Sequence, residues 1–283
     1  MGEFRDRVKS SRIAPAAALP GRARLAGQHS ARVLRQSAQW LVTSREHENF
    51  TYDLTDVNLS HLAWFIADVA EVPVDEAEGY LQEIQDDAAL RGALEARARA
   101  GTQPGLADRK VMYGRRVGWY ALVRATKPSH VVETGTDKGL GACVLAAALL
   151  RNGSGRLTTI DIDAAAGHLI AAPYDTVTDL RIDDSIAAIG KLETVDLFLH
   201  DSDHSPGHER REFEAVSAKL SDSALVLSDN SHSTTELQDW ARRTGRSYSF
   251  FDERPKDHWY PGGGIGVARA VLRPAASHRT SGT

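Results

Sequence analysis

A chain of 283 residues exceeds the usual size of one compact domain, which points to a large domain with an appendage or to two small ones. With 42% hydrophobic and 25% charged residues it is globular rather than disordered. Its net charge of -4, from 34 basic and 38 acidic side chains, excludes a global basic excess that would draw it onto nucleic acid or an anionic membrane. A single cysteine, Cys143, excludes an internal disulfide and a cysteine-based zinc cluster, and suits a reducing, cytoplasmic compartment.

Residues 1–40 hold eight Lys/Arg against two Asp/Glu. Without dense basic runs this reads as a solvated, partly frayed segment rather than an arm for an anionic partner. The apolar stretch from Ile13 to Pro20 follows Glu3 and Asp6 and is broken by prolines, so it reads as neither a signal peptide nor an anchor. No run approaches the ~20 apolar residues that span a bilayer. Helices are expected over 58–101. Leu62, Trp64, Phe65, Val69 and Val72 fall near one face, Ser60 is a candidate cap, and Pro73 interrupts the pattern. "GTQPG" at 101–105 reads as a loop and boundary, and 115–126 as a further helix. Trp64, Trp119 and Trp240 fit apolar helix faces, and Cys143 fits a buried small position.

From residue 130 short β-rich runs alternate with helical stretches. The runs are 130–134, 156–161, 178–182, 195–201 and 224–229, with helices near 139–152, 206–219 and 233–244. That rhythm predicts an α/β, Rossmann-like, mostly parallel sheet covered on both faces. "YSFF" (248–251) and "GIGVARAVL" (264–272) have no helix between them and would pair antiparallel, giving seven strands with a reversed last strand. The expected division is a helical extension over 1–105, acting as a lid or dimer contact, a core over 106–273 and a disordered tail over 274–283. A homodimer is the expected assembly.

The first strand runs into "ETGTDKGLG" (133–141), with Gly135, Gly139 and Gly141 at a strand-to-helix turn open to close ligand approach. The spacing is not that of a dinucleotide site, and Glu133 there suits a cationic ligand. Thr136 belongs to the same turn. Asp161 ends the second strand, where an acid accepts hydrogen bonds from ribose hydroxyls. Asp184 and Ser185 follow the third strand, as an adenine edge or as a helix cap.

Strands four and five end in "HDSDHS" and "SDNSHS". In a parallel sheet both ends share the carboxyl edge, so Asp201, Asp229 and Asn230 converge into an all-oxygen set suited to magnesium. His200 lies on a strand and reads as structural. His232 is a candidate base, and His258 and Trp259 are candidate rim residues.

Residues 110–272 resemble the class I S-adenosylmethionine-dependent methyltransferases, with "VVETGTDKGLGA" similar to their first motif. The resemblance implies that Glu133, Gly135, Thr136, Gly139 and Gly141 lie along the methionine part of the cofactor, Asp161 at the ribose, and Asp184 with Ser185 at the adenine. Asp201 with Asp229-Asn230 resembles the Mg2+ triad of catechol-type O-methyltransferases. "DLFLHDSDHSPGHERREFE" is still more similar to macrocin-type enzymes, which methylate sugar hydroxyls of natural products. It implies His204 as base, where the catechol type has lysine. The implied acceptor is a small-molecule hydroxyl, with no nucleic acid or membrane partner. A metal-independent N-methyltransferase, a non-catalytic protein of this fold and a NAD-dependent oxidoreductase are the alternatives, the last disfavoured by the glycine spacing. Tyr113, Arg115 and Arg116 either reach the cofactor pocket or simply open a solvated helix.

Overall fold

The computed structural model describes residues 14–46, 51–100, 108 and 110–271. The loop 101–105, the boundary expected at it and the tail 274–283 lie outside the described residues. The chain divides into two compact units. One is built on Met1–Ser44 with Asp257–Pro261, the other on Arg45–Lys256 with Gly262–Thr283.

The smaller unit holds α1 (Ala14–Ala17) and α2 (Leu19–Thr43). Of the segment read as solvated and partly frayed, the described residues 14–43 are mostly exposed helix. Pro20 falls in the first turn of α2, where its missing N–H removes no helical bond. His258 and Trp259, expected at a rim, pack with Trp40 inside this unit. The Trp40 and Trp259 rings lie 5.4 Å apart, and His258 stacks on Trp259.

The larger unit opens with α3 (Asp56–Ala70), α4 (Val74–Asp86), α5 (Ala88–Ala100) and α6 (Arg116–Thr126). Thr55, not Ser60, caps α3 by accepting from the Asn58 N–H. Its buried stripe is Leu62, Ala63, Ile66 and Val69, at spacings of one, four and seven. Trp64 lies two residues from Leu62, across the helix, and is 64% exposed, so the expectation that it is core is corrected. Trp119 and Trp240 are core. The stretch after Pro73 divides into two helices, because the Asp87 carboxylate caps the second at Leu90 N–H.

The strands are β1 (His130–Thr134), β2 (Arg156–Asp161), β3 (Thr178–Ile182), β4 (Val195–His200), β5 (Leu220–Ser228), β6 (Ser247–Asp252) and β7 (Gly264–Arg269). They form one sheet in the order β3-β2-β1-β4-β5-β7-β6. Every pairing from β3 to β5 is parallel, and β7 runs antiparallel to both its neighbours. The helices α7 (Leu140–Asn152), α8 (Ser185–Gly190), α9 (Pro206–Ser217) and α10 (Glu236–Thr244) fill the connections. All five β1 residues are buried, as both-faced coverage requires. On one face Val132, Ile160, Phe198, Val226 and Ala268 meet Ile189, Phe213, Val216, Leu237 and Trp240 from α8, α9 and α10. Cys143 is buried in α7, and burial pushes its thiol pKa up to about 12, which makes it inert. Among the described residues no helix is long and apolar enough to cross a membrane.

Candidate active site

The parallel register fixes where the strand ends fall. Thr134 of β1 pairs with Ile160 and His200, and His200 pairs with Ser228. Gly135, Asp161, Asp201 and Asp229 therefore emerge side by side at the carboxyl edge.

Two glycines of the first turn are there for protein neighbours. Gly135 has φ +86, and a Cβ on it would collide with the Asp201 carbonyl, so β1 and β4 approach too closely for any other residue. A Cβ on Gly141 would collide with Glu133 Oε1. Glu133 is buried beneath α7 and accepts from the Thr159 hydroxyl at 2.6 Å, which in turn bonds Thr136 at 2.6 Å. Burial raises the Glu133 pKa to about 8, so the group is largely protonated at neutral pH.

A cavity of about 690 Å³ opens at this edge. Gly135, Asp161, Asp184, Ser185, Asp201, His204 and Asn230 line it. Glu133, Thr136, Gly139, Gly141 and Asp229 are not among its lining residues and are buried. The Asp161 oxygens accept the N–H groups of Asp137 and Asp163 at 2.8 and 2.9 Å, which orients the carboxylate. Asp184 caps α8 through the Ala187 N–H and also faces the cavity.

The other half of the site hangs on α9. Its Glu212 is wholly buried and accepts from Thr134 (2.6 Å), His200 (2.7 Å), Ser202 (2.8 Å) and His208 (2.9 Å). Burial alone would raise its pKa, yet these donors hold the carboxyl far below the usual range. His200 is therefore structural. Glu209, one turn earlier, accepts from Ser228 and Thr234 and secures the end of β5.

His204 lies beside this frame, its Nε2 3.1 Å from the Asn230 side-chain nitrogen and 3.8 Å from Asp201. Burial lowers its pKa, leaving a neutral imidazole. Asp201 is pushed well above the carboxylate range by burial and by Asp229. Burial would raise Asp229 too, but the Arg115 guanidinium holds it below. Arg115 Nε and Nη2 each donate to one Asp229 oxygen in a bidentate pair, and both residues are buried.

Residues 132–231 match the family model described as a methyltransferase domain. The chain carries a methyltransferase domain. Among solved structures, a candidate O-methyltransferase from Klebsiella pneumoniae is similar at 19% identity and a TM-score of 0.50, covering 65% of this chain and 90% of that one. The cofactor-bound protein Rv0187 from MTB is similar at 17% identity and a TM-score of 0.50, with the same coverage. At such identities the likeness is one of fold, and the fold is that of class I methyltransferases. No curated protein sequence matches the chain.

Within the methyltransferase domain, Asp201, His204 and Asp229 bring ligand-type atoms within 4.8 Å of one another. The donor chemistry suits a divalent ion, but the arrangement does not fit one: both Asp229 oxygens already accept from Arg115. His232 is exposed and does not line the cavity, whereas His204 does. Sequence reasoning left Arg115 undecided between pocket and solvent, and the structure places it in the cavity wall as a buried partner of Asp229. It missed Glu209 and Glu212 altogether. Their one readable signal is the spacing of three, beside Phe213 and Val216, which sets them on the inward face of α9.

Proposed function

We propose that this chain transfers a methyl group from S-adenosylmethionine to a hydroxyl oxygen of a small, hydroxyl-rich molecule, a sugar or glycosylated metabolite. The observation that carries the reading is one cavity running along the strand ends from Asp161 and Asp184 to His204. Bound S-adenosylmethionine supplies an electrophilic methyl group on a sulfonium centre. Asp161, oriented by two backbone N–H groups, is suited to the ribose hydroxyls, and Asp184 with Ser185 lies toward the adenine.

At the other end the lining includes Arg115, Asp201, Ser202, Asp203, His204, His208 and Asn230. These are all hydrogen-bonding groups. An aromatic acceptor would call for apolar and aromatic walls, whereas a polyol needs such a polar set. His204 Nε2 exchanges the Asn230 amide for the acceptor hydroxyl and takes its proton, while the surrounding frame holds the oxygen in line. The Klebsiella protein described as a candidate O-methyltransferase supports oxygen as the acceptor atom.

Titration calorimetry with S-adenosylmethionine, followed by a labelled-methyl screen over sugars, glycosylated metabolites, phenols and amines, tests the reading. Micromolar cofactor binding with label on a sugar hydroxyl is the expected result. Absent cofactor binding overturns the whole reading, and label only on amines overturns the acceptor class.

A further inference from the structure

Arg115 is an unusual resident of an acidic strand edge. It is 6% exposed and faces two wholly buried carboxylates, Asp229 and Glu253. Nε and Nη2 donate to the Asp229 oxygens, and Nε lies 3.8 Å from Glu253. Nη1 donates to the Tyr52 hydroxyl at 3.2 Å, and that hydroxyl donates to Glu253 at 2.7 Å. The guanidinium is thus gripped from three sides, yet it still borders the cavity with Asp201, His204 and Asn230.

A guanidinium keeps its charge at any pH the protein survives, and its planar fork matches both carboxylate oxygens at once. An ion placed among Asp201, His204 and Asp229 would have to share those same oxygens with a fixed positive charge. The two cations would repel across a buried, weakly screening space. We propose that Arg115 is the resident cation of this site. It takes the place of a divalent metal, keeps Asp229 oriented behind His204 and Asn230, and makes methyl transfer independent of added metal. Arg115 is in this sense a positioning residue. The effect on turnover rests on the methyl-transfer reading above; the exclusion of metal does not.

The test titrates Mn2+ into metal-stripped full-length protein and follows free Mn2+ by electron paramagnetic resonance. Wild type is expected to bind no stoichiometric Mn2+ below millimolar concentration. Arg115→Met, which removes the charge at similar length, is expected to bind at least tenfold more tightly. Arg115→Lys is expected to restore exclusion. Micromolar binding by wild type overturns the inference, and so does a folded Arg115→Met with unchanged affinity. If Arg115→Met does not fold, the wild-type titration decides alone. In turnover assays wild type is expected to be indifferent to EDTA, and a tenfold loss overturns the claim of metal independence. Calorimetry with S-adenosylmethionine on the same sample reads the methyl-transfer proposal separately, so the two can fail independently.

Discussion

His200 Nδ1 lies 2.7 Å from the Glu212 carboxylate, with both side chains wholly buried. Glu212 also accepts from Thr134, Ser202 and His208, so one carboxylate joins the ends of β1 and β4, the loop beyond β4 and helix α9. Removing it leaves several buried donors without a partner. Glu212→Ala should lose roughly 3–5 kcal/mol in chemical denaturation. Glu212→Gln, which keeps an acceptor but not the charge, should lose less. Because the folded-state pKa is depressed, the contribution is present above the ordinary carboxylate range. It is lost as pH falls through the folded value, so wild type should lose stability in acid more steeply than Glu212→Gln.

Glu133 has the opposite sign. Its folded pKa of about 8 stands above the ordinary 4.5, so the fold favours the protonated form. Its contribution is fully present below 4.5 and is lost as pH rises toward 8. Stability measured by denaturant should decline across that window, by at most ~1.4 kcal/mol per pH unit for one proton. Glu133→Gln should flatten the slope. A wild-type profile that is flat between pH 5 and 8 would contradict it.

Gly141→Ala forces a methyl group against Glu133 Oε1. A loss of about 1–3 kcal/mol is expected, as for other overpacked cores. In a double-mutant cycle, Glu133→Ala should recover part of that loss because the clashing oxygen is gone. Strict additivity would show that the two positions do not meet.

For the chemistry, His204→Ala should reduce kcat by about 10²–10⁴ with little change in cofactor affinity. The acidic limb of the rate profile should vanish with the imidazole. Asp161→Ala should instead weaken S-adenosylmethionine binding at least tenfold, about 1.4 kcal/mol, and leave the kcat at saturation within a few-fold. Calorimetry and initial rates separate the two effects, and a swapped pattern would exchange the roles of these residues.

Much of the fold was readable because strands buried on both faces leave continuous apolar runs, and β4 and β5 do so at Leu197–Leu199 and Ala224–Leu227. The meeting of Asp201 and Asp229 followed from parallel register alone, which pairs His200 with Ser228. Contacts between distant elements were harder to read. Arg115 and Asp229 are 114 residues apart, and nothing local to "YGRR" distinguishes a buried guanidinium from a solvated one. Glu209 and Glu212 sit in a strongly charged helix, where acids ordinarily face water. Trp64 failed for the converse reason: a large apolar side chain on an amphipathic helix looks like core until its exact angle is known.

Tyr52 lies far upstream of the motif-bearing strands, yet its hydroxyl binds both Arg115 and Glu253, and Leu54 bridges to Pro255. A shortened gene beginning at residue 106 would still encode every sheet strand. It would also strip Glu253 of its hydroxyl donor and Arg115 of one acceptor. Transplanting the motif-bearing segment alone into another protein would therefore carry over the sheet and leave out part of what orients the charges at its edge.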